Sequence, residues 1–409
     1  MVRPRASRSA RAVANSHIRS NVMGGRDCTL CAVRVLVAPD KFKGTLTAAQ
    51  AADAIAAGVR RAIPDAVVEA IAMADGGEGS LDALVASLGG ERFGDTVTGP
   101  LGEPVHAEYG IVRAGEGATG VIEMARASGL ALVPSRRDPM RATTRGTGEL
   151  ILAAARRGVR RILVCIGGSA TNDAGAGMAQ ALGIGLHDEQ GKDLAPGGAA
   201  LMRLSRIDMS ALDPAVRAMN VVVASDVDNP LVGPTGASFV YGPQKGASPE
   251  DVVLLDRALR HFAAIVHHDL GIDVRDVRGG GAAGGLGAGL IAFLGARLRP
   301  GVDVVMEAVG LRERLAEKDL LITGEGRFDE QSLHGKVPEG VLRAAAEFAV
   351  PVVVLCGVGV ISPRGVRVLS LAERFGMAAA LERPRALLED LAAEAAEAFL
   401  REGIRGQGD

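Results

Sequence analysis

ASDVDNPLVGPTGASFVYGPQKG, residues 224–246, sets two carboxylates and a lysine among glycines and prolines. It is fed by an apolar run, Asn220-Val221-Val222-Val223-Ala224, whose length and β-branched content predict a buried strand. Beyond it come Asp226, Asp228 and Asn229, a Pro- and Gly-rich turn, and Gly242-Pro243-Gln244-Lys245-Gly246. In open α/β sheets, ligands bind outside the carboxyl ends of the strands. Two carboxylates, an amide and a lysine at such an end suit metal, phosphate or proton chemistry. The plain alternative is that Asp226, Asp228 and Asn229 only shape turns and cap a helix, which these residue types also do.

The same order of strand, polar glycine-rich loop and helix recurs on both sides. Val33–Ala38 predicts a strand and 39–46 a loop, and Thr47 N-caps a helix to about Ile63 with Gln50 in the capping-box position. Lys41 and Lys43 fall between that strand and that helix, where N–H groups and the helix dipole favour anions; solvated lysines on an ordinary loop are the alternative. Val67–Met73 predicts a strand running into Asp75-Gly76-Gly77-Glu78, ahead of a helix from about Leu81. Asp75 and Glu78 suit a metal or a hydroxyl, or Glu78 serves only the helix start. Arg161–Ile166 predicts a strand that ends in Gly167-Gly168-Ser169-Ala170-Thr171-Asn172-Asp173. That turn is neither a Walker A loop nor G-x-G-x-x-G. Its N–H groups, with Ser169, Thr171 and Asn172, suit a phosphate or carboxylate. Asp319–Thr323 predicts a strand, and 324–338 a charged loop with Gly324, Glu325, Arg327, Asp329 and Lys336. A third glycine run, Gly279–Gly289, serves either ligand contact or close packing of the helix it feeds.

Between these units, 91–123 reads as a β-rich insertion, Ser248 caps a long helix over 249–270, and 188–192 forms a hairpin turn carrying a solvated Lys192. His261, His267 and His268 lie on or near the long helix without the spacing of a metal pair. A helix over about 385–401 closes the chain.

Composition narrows the function. The 409 residues carry a net charge of -2, 3% aromatics and no Trp. This excludes the electrostatic footprint and the stacking platforms of nucleic-acid binders. No apolar run is long enough to span a bilayer, and no signal peptide is evident. Cys28 and Cys31 lack the second pair that a zinc site needs, and Cys165 and Cys356 sit in apolar runs as small hydrophobes. Residues 1–32 hold six Arg and one acid. They read as a disordered extension, a transit peptide or translation from an upstream start, and stand outside the fold. Of 46 basic residues only six are Lys, and four of those (Lys41, Lys43, Lys245, Lys336) lie in glycine-rich loops. Where arginine is the default cation, a lysine marks a need for a compact point charge, as at a phosphate.

Together these segments resemble the type I glycerate kinases of bacteria. The resemblance rests on APDKFKGTLTA (38–48), MADGGEGS (73–80), TGPLG (98–102), ATTRGTGELI (142–151), IGGSATNDAGAGM (166–178), SDVDNPLVGPTGA (225–237), YGPQKGAS (241–248), GAAGGLGAGL (281–290) and LITGEGRFDEQSLHGKVPEGV (321–341). It departs from the family in the extra residues 1–32, in Lys41 where Ser is usual, in Phe328 where Ile is common, and in a looser C-terminal third.

The resemblance implies an α/β protein of two domains with the active site in the cleft between them. One is a discontinuous Rossmann-like domain over 33–95 and 275–405, the other a mixed α/β domain over 96–274. It implies a cytoplasmic enzyme, monomer or homodimer, that uses ATP and Mg²⁺ to phosphorylate D-glycerate, with the 2-hydroxyl favoured over the 3-hydroxyl. No nucleic acid or membrane enters the reaction. Asp226 is then the base, and Lys43, Lys245 and Arg327 act on the transferring group. Asp228, with Asp75 or Glu78, holds the metal. Lys41, Gly76, Gly77, Gly168, Ser169, Thr171, Asn172, Asp173, Asn229, Gly324, Glu325 and Lys336 bind substrate or phosphate. Two rival readings stand beside it: a small-acid dehydrogenase on a similar fold, against which the missing G-x-G-x-x-G counts, and a non-enzymatic metabolite sensor, whose DNA- or partner-binding module finds no room outside residues 1–32.

Overall fold

A computed structural model describes residues 32–113 and 117–405. The extension expected over 1–32, with Cys28 and Cys31, falls outside them apart from Ala32. The described strands are β1 (Arg34–Val37), β2 (Val67–Ala70), β3 (Glu91–Thr98), β4 (Pro104–Arg113), β5 (Ala118–Glu123), β6 (Arg161–Cys165), β7 (Gly185–His187), β8 (Arg206–Asp208), β9 (Asn220–Ala224), β10 (Arg297–Arg299), β11 (Leu320–Phe328), β12 (Val352–Gly359) and β13 (Arg367–Ser370). The chain divides into two compact units. The first takes the chain up to Ile71 with Leu311–Leu333 and the residues from Pro338 on; the second takes Ala72–Gly310 and His334–Val337.

The first unit is built on a five-stranded sheet in the order β13-β12-β11-β1-β2, parallel at every pairing. Residues Val35, Leu36 and Val37 of β1 are fully buried, as expected for a strand covered on both faces. Helix Ala48–Ala62 starts where the sequence places it. Thr47 Oγ1 accepts from the Gln50 N–H at 3.2 Å, and Gln50 Oε1 accepts from the Thr47 N–H at 3.0 Å. Its buried face, Ala51, Ile55 and Val59, joins one core with Leu388, Leu391 and Ala395 of helix Pro384–Arg405. From β1 the chain crosses outward to β2, and from β11 outward in the opposite direction to β12. The gap between β1 and β11 is therefore the topological switch point, the usual ligand position in such a sheet.

Gly324–Phe328, read as loop, is the second half of β11. β12 continues past Leu355 to Gly359 and supplies a ladder partner, with Gly324 opposite Leu355 and Phe328 opposite Gly359. A neighbouring strand overrides the weak strand propensity of glycine and charged residues. The loop proper begins at Asp329.

The second unit holds a mixed six-stranded sheet in the order β10-β9-β6-β5-β4-β3 and a separate β7-β8 hairpin. β5, β6, β9 and β10 are parallel, and β4 and β3 extend the sheet as an antiparallel pair within the expected β-rich insertion. Helix Pro249–Leu270 starts at the Ser248 capping box. The pairing aligns Cys165 with Ala224 and Ala224 with Arg299. This register brings the loops after β6, β9 and β10 to one edge. A further helix, Gly301–Ala308, follows β10 directly and was not anticipated from the sequence.

Candidate active site

The acidic loop after β9 is organised by the unanticipated helix. Asp226 lies two residues beyond Ala224 and Gly301 two beyond Arg299, so the paired strand ends set them side by side. The Gly301 N–H, at the first turn of its helix, donates to Asp226 Oδ1 at 2.8 Å. The loop Asp75-Gly76-Gly77 closes over the same spot. Gly76 has φ +83°, and a Cβ there would stand 2.8 Å from Ala224 Cβ and 3.0 Å from Gly301 Cα. Only glycine fits. Asp226 keeps a face open to water while its carboxyl is crowded by protein. Desolvation, with Asp75, Asp303 and Asp228 nearby, pushes it up to about 7 against the pull of the Gly301 N–H. Gly335 also approaches: a Cβ on it would lie 3.9 Å from Asp226 Cβ, which brings Lys336 to within one residue of this acid.

Two neighbours of Asp226 point to other work. Asp228 forms a two-pronged pair with Arg278, both contacts at 2.6 Å, and the pair is well exposed. The Arg278 hydrogen bond holds Asp228 below the usual carboxylate range. Asn229 clasps its own turn, donating to Thr235 O at 2.7 Å and accepting from the Tyr241 hydroxyl at 2.7 Å. Glu78 is exposed, and Asp75 Oδ1 accepts from the Gly77 N–H at 3.1 Å.

The turn after β6 divides into an open part and a buried part. Gly167 and Gly168 reach solvent, and Ser169 is nearly covered. Thr171, Asn172 and Asp173 are fully buried. Asp173 accepts four hydrogen bonds, from the Thr144 N–H and hydroxyl and from the N–H groups of Gly175 and Gly177. Burial raises its pKa against those donors. Lys245 is only 1% exposed, and its ammonium donates to Thr171 O at 2.6 Å. Burial pulls the lysine down to about 7, opposed by Asp173. The third glycine run packs behind this turn. A Cβ on Gly284 would lie 2.0 Å from Thr171 O, which settles that part of the run as close packing.

In the first unit, the residues expected to meet phosphate gather at the switch point between β1 and β11. The loop after β1 is closed by the Phe42 N–H on Leu46 O and the Thr45 N–H on Phe42 O, both at 2.9 Å. Phe42 is buried and anchors the loop, leaving Lys43 exposed and Lys41 half-buried on either side of it. The Asp40 N–H donates to Gly324 O at 2.8 Å, which ties this loop to β11. Glu325 is buried on β11. Arg327 is exposed, and its Nε donates to Asp329 Oδ2 at 3.0 Å.

Comparison with known proteins places the chain. The model of the glycerate kinase family matches residues 35–400. The chain belongs to the glycerate kinase family. It is 52% identical over 324 residues to a glycerate kinase of Halalkalibacterium halodurans, spanning 79% of this chain and 85% of that one. It is 49% identical over 340 residues to glycerate 2-kinase of Escherichia coli K12, spanning 82% and 89%. A crystal structure from Salmonella typhimurium LT2 assigned to glycerate kinase 2 aligns with a TM-score of 0.83 at 46% identity, covering 91% of this chain and all of that one.

Set beside the family's motifs, the structure adds residues that the sequence reading passed over. Gly301 and Asp303 sit at the start of a helix that no quoted motif includes, and Arg278 occupies Asp228. The available signal was Pro300-Gly301-Val302-Asp303, a proline just ahead of a helix with an acid in its first turn. Cys165 and Cys356 are buried free thiols. Burial pushes Cys356 up to about 12 and Cys165 higher still, so neither supplies a nucleophile. Among the described residues no helix is long and apolar enough to cross a membrane.

Proposed function

We propose that this glycerate kinase transfers the terminal phosphoryl group of ATP to the 2-hydroxyl of D-glycerate, with Asp226 as the base. The observation that carries the assignment is the hold on Asp226. One carboxyl oxygen is fixed by the Gly301 N–H, which leaves Oδ2 to receive a proton. A base that titrates near neutral pH is matched to that task. As the hydroxyl oxygen bonds to the γ-phosphorus, its proton passes to Asp226 Oδ2, the bond to the bridging oxygen breaks, and ADP leaves with the electron pair. Catalysis of this kind rests on positioning and charge neutralisation. Lys336 is a cation for the glycerate carboxylate or the phosphoryl group beside Asp226. Lys41, Lys43 and Arg327, with Gly324 and Glu325 at the switch point of the first unit, are the groups for phosphate, where lysine serves as a point charge. The turn at Gly168 and Ser169 offers its N–H groups and the Ser169 hydroxyl to an anion.

Mg²⁺ fits the donors around Asp226 in chemistry, since they are carboxylate oxygens. Such an ion takes one or two protein carboxylates and keeps waters and substrate phosphates. Asp75 is the residue to hold it, since Arg278 occupies Asp228 and Glu78 lies exposed. When bound, the ion would neutralise phosphate charge. ATP and small organic acids meet in the cytoplasm, which is where the reading puts the enzyme.

A coupled ADP-release assay with D-glycerate and ATP tests the activity, and phosphorus NMR of the product tests the position. Absence of glycerate-dependent ADP release would sink the reading, and a 3-phosphoglycerate product would correct it.

A further inference from the structure

Lys245 is the feature of the second unit that the reaction above leaves without a role. The segment 237–246 grips the turn after β6 at two successive residues. Ser238 Oγ accepts from Asn172 Nδ2 at 3.0 Å, and Lys245 Nζ donates to Thr171 O at 2.6 Å. Gly284 also packs so closely that a Cβ would lie 2.0 Å from that same Thr171 oxygen, and its own carbonyl accepts from the Ala174 N–H at 3.1 Å. The Thr171 carbonyl thus meets both an ammonium and a glycine that leaves it no slack. Beside it, Thr171 Oγ1 and Asn172 Oδ1 are buried without a hydrogen-bond partner. An ordinary turn rarely keeps such atoms, because each orphaned group costs stability. Burying an ammonium is costlier still unless it is paired and hydrogen-bonded, as Lys245 is by Thr171 O with Asp173 nearby.

We infer that Lys245 is a positioning residue: by pinning the Thr171 carbonyl against Gly284, it fixes the direction in which Gly168 and Ser169 face an anionic ligand, without touching that ligand itself. This rests on the reading that the Gly168-Ser169 end of the turn meets substrate or phosphate. The scarcity of lysine gains a second explanation at this position. A slim ammonium at the end of a flexible chain reaches one carbonyl in a closed space, where a planar guanidinium would need room for its fork.

The test uses the full-length enzyme and two variants, Lys245→Met and Ser169→Ala, each measured for KM of ATP, KM of glycerate, kcat and melting temperature. Ser169→Ala identifies the ligand of the turn by the KM it raises. Lys245→Met is expected to raise that same KM by about tenfold while kcat stays within about threefold, the pattern of lost ground-state binding. A fall in kcat of about a thousandfold at unchanged KM would make Lys245 a direct participant and overturn the inference. So would unchanged kinetics in a folded variant that merely melts earlier. If Ser169→Ala moves neither KM, the reading of the turn fails and takes this inference with it; if only Lys245→Met is silent, the inference alone fails.

Should Lys245→Met not fold, acetic anhydride labelling of the wild-type enzyme decides. With only six lysines, mass spectrometry resolves each. Lys245 is expected to stay unlabelled with and without ATP and glycerate, whereas labelling in the free enzyme that either ligand suppresses would refute it.

Discussion

Replacing Asp226 with Asn removes the proposed base while keeping an oxygen for the Gly301 N–H, and it should move activity and stability in opposite directions. General bases contribute about 10²–10⁴ to rate, so kcat should fall by that factor. In the wild type, kcat/KM reports the free enzyme. With Asp226 at about 7, kcat/KM should climb roughly tenfold per pH unit below that point and level off above it. Stability follows from the same shift. Below 3.8 the folded and unfolded chains both hold the proton, and Asp226 costs nothing. Between 3.8 and about 7 the unfolded chain ionises while the folded one resists, so stability drops across that window and stays lower above it. A shift of roughly three pH units would be worth about 4 kcal/mol in a dry site. The open face of Asp226 admits water that screens its neighbours, and about 1 kcal/mol is the figure to expect. Asp226→Asn should therefore melt about 2–4 °C higher than wild type at pH 8, with the gap closing towards pH 4. Paired activity and melting curves across pH 4–8.5 would show this. A variant with near-normal turnover, or a wild-type kcat/KM that is flat through pH 7, would refute the assignment.

Three further substitutions, with Lys192→Met as a control, probe other positions. Gly76→Ala puts a methyl group against Ala224 and Gly301 at a positive φ; overpacking of about 1–3 kcal/mol is expected. It should also lower kcat/KM by displacing the N–H from Asp226, both effects readable by melting and kinetics. Asp173→Ala orphans four buried donors and should cost about 3–5 kcal/mol, or prevent folding, as circular dichroism melts will show. Lys43→Met should raise the KM for ATP about tenfold, while Lys192→Met, on its exposed hairpin turn, should leave it unchanged; equal effects from both would remove Lys43 from phosphate binding.

Much of this architecture is legible in the chain itself because it is locally encoded. The capping boxes at Thr47 and Ser248 need only four residues each, and β1, β6 and β9 announce themselves as short apolar runs. The loops carrying Asp226, Lys43 and Ser169 follow from their places after strands. What the sequence hides depends on partners far away. The direction of Lys245 is set by Thr171 and Gly284, which no periodicity links to it. The second half of β11 exists because β12 runs on beside it. The hold on Asp226 comes from pairing Ala224 with Arg299, a register that places Gly301 opposite the acid. Asp228 looks equivalent to Asp226 in the sequence, yet Arg278, fifty residues away, claims it in the folded chain.

The central place of β1 has a consequence for how the chain comes off the ribosome. Arg34 at its start is joined to Asp319 across 285 residues, and its partner β11 is made only after the long segment Ala72–Gly310 of the second unit. At roughly 5–20 residues per second, β1 waits about 15–60 s with one edge unpaired. A chain halted before Leu320 leaves that apolar edge bare. During synthesis β1 is therefore a prime target for chaperones and for mispairing, and loss of the last third of the chain should yield aggregate in place of a stable first unit.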